Sequence, residues 1–131
     1  MSRNIGRFTI FVNDYDEAIY FYKEKLGFEI IADQITPEHR FVHLGYNTQF
    51  PVGIWLWKAD KTTAHLVGNQ AADQPLLVIY TKDCISDYFN LEKQGVRFLN
   101  EPVQTDSEIY VHALDLYGNV ILFVEMLEDK K

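Results

Sequence analysis

Two histidines, one arginine and a set of aromatic rings are the residues whose types could do chemistry in this chain. His43 and His112 stand 69 positions apart, and that interval recurs elsewhere. A pair of imidazoles could act as general acid and base, or donate lone pairs to a metal ion. As a metal site the pair is poor, because two histidines without a carboxylate leave a divalent ion short of ligands, and histidines in strands are more often structural. Arg7 could hold a carboxylate or phosphate through paired N–H donors. Its alternatives are a salt bridge to a nearby acid, or exposure at the start of a strand. Phe11, Trp55, Trp57 and Tyr80 could stack against a flat ligand or could fill a core. Cys84 falls in the first turn of a helix, where the dipole lowers a thiol pKa. Its place in that helix's apolar stripe argues instead for burial, and no nucleophile is assigned. His65 reads as a surface residue. The sequence holds no Gly-rich phosphate loop, no Ser-His-Asp order and no Cys-rich metal spacing.

The elements that must position these residues come in two copies. Residues 7–30, RFTIFVNDYDEAIYFYKEKLGFEI, share their plan with residues 76–99, LLVIYTKDCISDYFNLEKQGVRFL. Each copy runs apolar strand, Asp, amphipathic helix, Gly, strand. Asp14 and Asp83, again 69 apart, are placed as N-caps, and Glu17 sits at capping-box spacing from Asp14. Tyr15, Ala18, Ile19, Tyr22 and Leu26 form one apolar stripe; Cys84, Ile85, Tyr88 and Leu91 form the other. Gly27 and Gly95 end the helices. They are 68 apart, so the first helix carries one residue more.

Further strands are expected at 28–32, 40–45 and 52–57, and at 96–100, 109–114 and 120–125. Turns are expected at 46–51 and at Tyr117-Gly118-Asn119. Residues 33–39 read as a loop, and 58–74 as a polar, patternless linker that is either a mobile loop or a lid. The tail 128–131 is charged. The fold class is therefore α+β: two tandem βαβββ modules, each a mixed four-stranded sheet with helices on one face, wrapping a shared cavity. One domain spans 1–131, with module one at 5–57, the linker at 58–74 and module two at 75–126.

A chain of 131 residues supports one ordinary core. Twelve basic against nineteen acidic residues, a net charge of −7, argue against a general nucleic-acid or anionic-membrane binder. They are compatible with a neutral or cationic small molecule, and equally with a surface that is simply soluble. A single cysteine excludes an internal disulfide, and the polar residues after Met1 do not resemble a signal peptide. No apolar run approaches the ~20 residues of a membrane span. A cytoplasmic protein is expected.

The segments VNDYDEAIYFYKEKLGFEI (12–30), GVRFLNEP (95–102) and DLYGNVILFVE (115–125) resemble the vicinal oxygen chelate superfamily: glyoxalase I, extradiol dioxygenases, fosfomycin-resistance enzymes and bleomycin-resistance proteins. The resemblance implies paired βαβββ modules and a homodimer. It also implies four metal-ligand positions, one on the first and one on the last strand of each module. Those positions fall here on Arg7, Trp55, Leu76 and Leu122, none of which can donate a usable lone pair. The usual metal site is thus expected to be absent, with no cofactor. Strand alternation groups Arg7, Thr9 and Phe11 with Gly53, Trp55 and Trp57, and Leu76, Val78 and Tyr80 with Val120, Leu122 and Val124. That face suits a flat or apolar ligand carrying one anionic or polar group.

The expectation is a metal-independent small-molecule-binding protein like the bleomycin-resistance branch. Its ligand-binding residues are Arg7, Phe11, Trp55, Trp57, Tyr80, His43, His112 and Leu122. The alternatives are a lyase, isomerase or dioxygenase using His43, His112 or a loop acid around a relocated metal, and an interaction module with a filled core.

Overall fold

Both copies of the repeat fold as units. The computed structural model describes residues 2–46 and 52–128, and it divides into Met1–Val67 and Gly68–Lys131. The expected turn at 46–51 lies, beyond Tyr46, outside the described residues, as does the tail from 129.

In the first unit β1 (Arg7–Val12) leads into helix α1 (Tyr15–Tyr20), a π-helical turn (Phe21–Lys25), β2 (Glu29–Ile35), β3 (Arg40–Gly45) and β4 (Gly53–Lys58). The sheet order is β1-β4-β3-β2, with β1 and β4 parallel and the other pairs antiparallel. Asp14 Oδ1 accepts from the Glu17 N–H at 3.1 Å, the N-cap read from the sequence. Ile10, Val12, Val42, Leu44, Ile54 and Leu56 are at most 1% exposed and alternate with residues of the opposite face. Burying each is worth about 1.5–3 kcal/mol.

The first helix is not α-helical throughout. Its extra residue is absorbed where Leu26 donates to Phe21 O at 3.3 Å, five residues back. A one-residue insertion widens a helix locally in this way and leaves the turns on either side in phase. Both helices then end at a glycine of positive φ, +76° at Gly27 and +87° at Gly95, a conformation that excludes most side chains.

In the second unit β5 (Pro75–Tyr80) is followed by α2 (Cys84–Lys93), β6 (Arg97–Phe98), β7 (Val103–Gln104), β8 (Glu108–Leu114) and β9 (Val120–Met126). The order is β5-β9-β8-β6, with β7 also on β8, so this sheet has five strands where four were expected. The expected strand 96–100 is cut short because Asn100-Glu101-Pro102 bulges out between β6 and β7, and Pro102 has no N–H to give a ladder. Val111, Ala113 and Ile121 form the buried centre.

The β8–β9 turn is built on Asp115, 1% exposed, whose Oδ1 accepts from the N–H groups of Tyr117, Gly118 and Asn119, each at 2.9 Å. Residues 58–74 are not patternless. Asp60 Oδ1 accepts from Thr62 and Thr63 N–H at 2.8 and 3.2 Å, and Ala64–Leu66 is a 3-10 turn. Among the described residues no helix is long and apolar enough to cross a membrane.

Candidate functional site

The face of the first sheet turned away from α1 carries most of the sequence-predicted site residues. Parallel pairing of β1 with β4 sets Arg7 beside Gly53, Thr9 beside Trp55 and Phe11 beside Trp57. Antiparallel pairing sets His43 beside Trp55. Between them lies a cleft of about 210 Å³ lined by Arg7, Ala32, Gln34, Phe41, Val42, His43 and Trp55. Phe11 and Trp57 share the face but do not line the cleft.

The rings form a connected surface. Trp55 meets Trp57 edge-on with centroids 5.1 Å apart, and it lies nearly parallel to Phe41, at 11° and 6.2 Å. His39 packs on Trp57 at 4.1 Å. The guanidinium of Arg7 sits over Trp55 with Cζ 4.8 Å from the ring centroid, cation–π geometry. Arg7 is exposed, and among the described residues it has no acidic partner within salt-bridge distance. The salt-bridge alternative is therefore not what the structure shows.

His43 owes its position to Gly53. A Cβ at Gly53 would stand 2.1 Å from Leu44 O and 2.7 Å from His43 Nε2, so only glycine lets the ring lie there. Nε2 is buried without a hydrogen-bond partner among the described residues, as is Nε2 of His39. Burial first, and the neighbouring Arg7 charge second, push the His43 pKa below its ordinary value.

The remaining predicted residues belong to the second unit. His112 pairs with Leu122 across β8 and β9, the register place that His43 and Trp55 hold in the first. Its backbone N–H donates to Asn100 Oδ1 at 2.9 Å, and its Nδ1 lies 3.2 Å from the same oxygen. An amide oxygen can only accept, so Nδ1 is the donor in this contact and Nε2 is the nitrogen that Asn100 does not hold. Tyr80 is 72% exposed and lines a different groove, of about 540 Å³, with Thr81, Lys82, Glu125, Met126, Leu127 and Glu128. Cys84 is buried, its N–H held by Glu125 Oε1 at 2.9 Å. Burial, then the nearby Asp87, Glu125 and Asp83 charges, raise its thiol pKa to about 11.

Sequence reasoning missed Ala32, Gln34, Phe41, His39 and Asn100. Phe41 was within reach, since it lies two residues before His43 and so shares its face. Gln34 and His39 were hidden because DQITPEH reads as a loop, whereas β2 runs to Ile35 and the hairpin closes with Thr36 N–H donating to His39 O at 2.7 Å.

A βαβββ unit repeated in one chain, with a cleft on an open sheet face, defines a two-module α+β protein of the glyoxalase-like class. The chain belongs to the Glyoxalase/Bleomycin resistance protein/Dioxygenase superfamily, whose family model matches residues 4–123. It is 35% identical over 123 residues to an uncharacterized protein of Shewanella frigidimarina (strain NCIMB 400), covering 92% of this chain and 91% of that one. Among solved structures it is similar to UcmS2, with 29% identity, a TM-score of 0.81 and coverage of 95% and 98%. It is also similar to TnmS3, an antibiotic binding protein from Streptomyces sp. CB03234, with 24% identity, a TM-score of 0.79 and coverage of 97% and 99%; there the likeness is one of fold.

The metal site that the family implies does not fit the residues present. Arg7 is a permanent cation, and Trp55 and Leu122 bring no lone pair to their register places. Among the described residues no three of His, Cys, Asp or Glu are grouped to hold an ion.

Proposed function

We propose that this is a metal-independent small-molecule-binding protein that holds an aromatic or apolar ligand on the first unit's open sheet face, with Arg7 as its polar anchor. The observation that carries the reading is the cleft itself, an aromatic floor with one cation at its edge and no acid in its lining. Binding pockets are mostly apolar with a few placed polar groups, and this one has that composition. The fold neighbour TnmS3 is an antibiotic binding protein, which agrees with a small-molecule ligand. Leu122, His112 and Tyr80 stay in the proposal as ligand-binding residues of the second unit's own sheet. One domain over 1–131 and a cytoplasmic location belong to the proposal, and the family resemblance adds a homodimer, which sedimentation checks by mass.

Thermal unfolding of the wild type and of Trp55→Ala against a set of planar aromatic compounds tests the reading. A concentration-dependent rise in Tm that Trp55→Ala abolishes supports it, and no response to any compound contradicts it. A second reading, a metal-dependent lyase, isomerase or dioxygenase, draws on His112, whose Nδ1 is oriented by Asn100 as a metal-ligating histidine's second nitrogen often is. Elemental analysis after purification without chelator decides between them: a stoichiometric transition metal favours the enzyme.

A further inference from the structure

We propose that the first-unit cleft selects a planar aromatic acid in its ionised form and takes up a proton at His43 when that acid binds. This rests on the small-molecule reading above and adds the ligand's charge and the proton to it.

Size comes first. A cleft of about 210 Å³ is smaller than the roughly 300–1,000 Å³ that suits a drug-sized molecule. It holds a one- or two-ring compound, or one end of a larger one. The near-parallel faces of Phe41 and Trp55 favour a flat ring over a globular aliphatic group.

Charge comes next. Of the seven lining residues only Arg7 carries a fixed charge, and no carboxylate is there to neutralise it or to receive a cationic ligand. The guanidinium already lies against Trp55, so an acid group attached to a ring packed beside that indole meets its donors directly. The chain's net charge of −7 acts on approach from a distance and is screened within about 10 Å at ordinary salt, whereas Arg7 acts at contact.

The proton follows from what surrounds His43. Arg7 reaches it from β1. Its neighbours on β2 are Ala32 and, one step along the face, Gln34; on β4 it is Trp55; on its own strand the flanking residues are Val42 and Leu44. The nearby acid and base of the opposite face, Asp33 and Arg40, are engaged with each other at 2.9 Å. Among the described residues, the charge that shifts the ring is thus a repelling one, that of Arg7. An anion seated on Arg7 turns that repulsion into attraction and raises the ring's proton affinity, against the burial that acts in the other direction.

A half-turn about Cβ–Cγ exchanges Nε2 with Cε1 and carries the unpartnered nitrogen away from Gly53, so it can meet the anion without any movement of the strand. Because coupling between two binding events is reciprocal, the proton strengthens the anion's binding by the factor by which the anion strengthens the proton's. Each unit by which the His43 pKa rises on binding gives up to about a tenfold gain in affinity at acid pH.

Isothermal titration calorimetry of the full chain with naphthoate and with its neutral amide tests this, from about pH 5.5 to about pH 8, where the carboxylate stays ionised. Titrations near the middle of that range are run in two buffers of different ionisation enthalpy. The expected result is that naphthoate binds at least about tenfold more tightly than the amide and tightens as pH falls, by up to about tenfold per unit of pKa rise. Its apparent enthalpy changes between buffers in the sense of proton uptake. Arg7→Met brings naphthoate to the affinity of the amide, and His43→Gln removes both the pH dependence and the buffer dependence.

Equal binding of the amide, or naphthoate binding with no buffer dependence in the wild type, overturns the inference and leaves the small-molecule reading standing. Failure of both compounds to bind removes the small-molecule reading at this cleft and the inference with it.

Discussion

The two units share a plan and differ at the points where each meets its histidine. In the first, Gly45 pairs with Gly53; at the corresponding rungs of the second, Leu114 pairs with Val120. Gly53 leaves room for the His43 ring to lie against the strand, while a Cβ at Gly45 would meet Ile31 and Val52 O. In the second unit valine holds that place, and the His112 ring is held by Asn100 from the bulge. The faces turned away from the helices differ in parallel. One carries Arg7, Phe41, Trp55 and Trp57, the other Val78, Tyr80, Val120, Leu122 and Val124. The scaffold is common to both units, and a few face positions distinguish the one with an aromatic cleft and a cation.

The helices offer the strongest way to break this comparison. Deleting Asn90 from α2 rotates the following residues by about 100° and pulls Leu91 out of the core, costing more than about 3 kcal/mol. Deleting Lys23 from the π turn only returns that turn to α geometry, with an expected change within about 1 kcal/mol. Urea unfolding of the two variants decides the point, and equal losses would mean that the extra residue is not what the π turn absorbs.

Gly53→Ala comes next. A methyl 2.1 Å from Leu44 O forces the β3–β4 pair apart and costs about 1–3 kcal/mol, again read in urea. Alanine at Val120 stays within the backbone geometry that the residue already holds, so Val120→Ala costs only its lost packing.

Asn100→Ala is a smaller perturbation. It leaves the His112 N–H without its acceptor and costs about 1 kcal/mol, with an accompanying shift of the His112 ring resonances in NMR.

The pH dependence of stability at His43 is the smallest effect expected. Burial and Arg7 hold its folded pKa below the unfolded value. The unfolded chain therefore binds a proton that the folded one refuses, and stability is full above about pH 6.5 and falls as pH drops below it. The loss levels off once the folded His43 takes its own proton. His43→Gln flattens that segment of the Tm profile.

The repeat, the caps and the strand faces were legible in the sequence because they rest on local rules: a two-residue alternation, Asp at N-caps, Gly at helix ends. The one-residue surplus between Asp14 and Gly27 was legible too, but not its form, since an insertion can be spent as a π turn, a loop or a kink. Residues set by pairing across strands were harder. Gln34 and His39 sit in a segment whose composition says loop, and only the register of β2 on β3 brings Gln34 to the cleft. Asn100 looked like a strand residue because a bulge is decided by the partner strand. Arg7 could be placed on its face by alternation. That it would stack on Trp55 rather than pair with an acid depends on which acids lie near, and no local pattern tells that.

The chain has two tryptophans, both on the proposed binding face, so their indole N–H resonances report on the central claim directly. Titrated with a planar aromatic acid, the Trp55 signal should shift saturably, and the shift should be lost in Arg7→Met. A ligand that binds while the Trp55 signal stays still, with its perturbations confined to the second unit, would contradict the account.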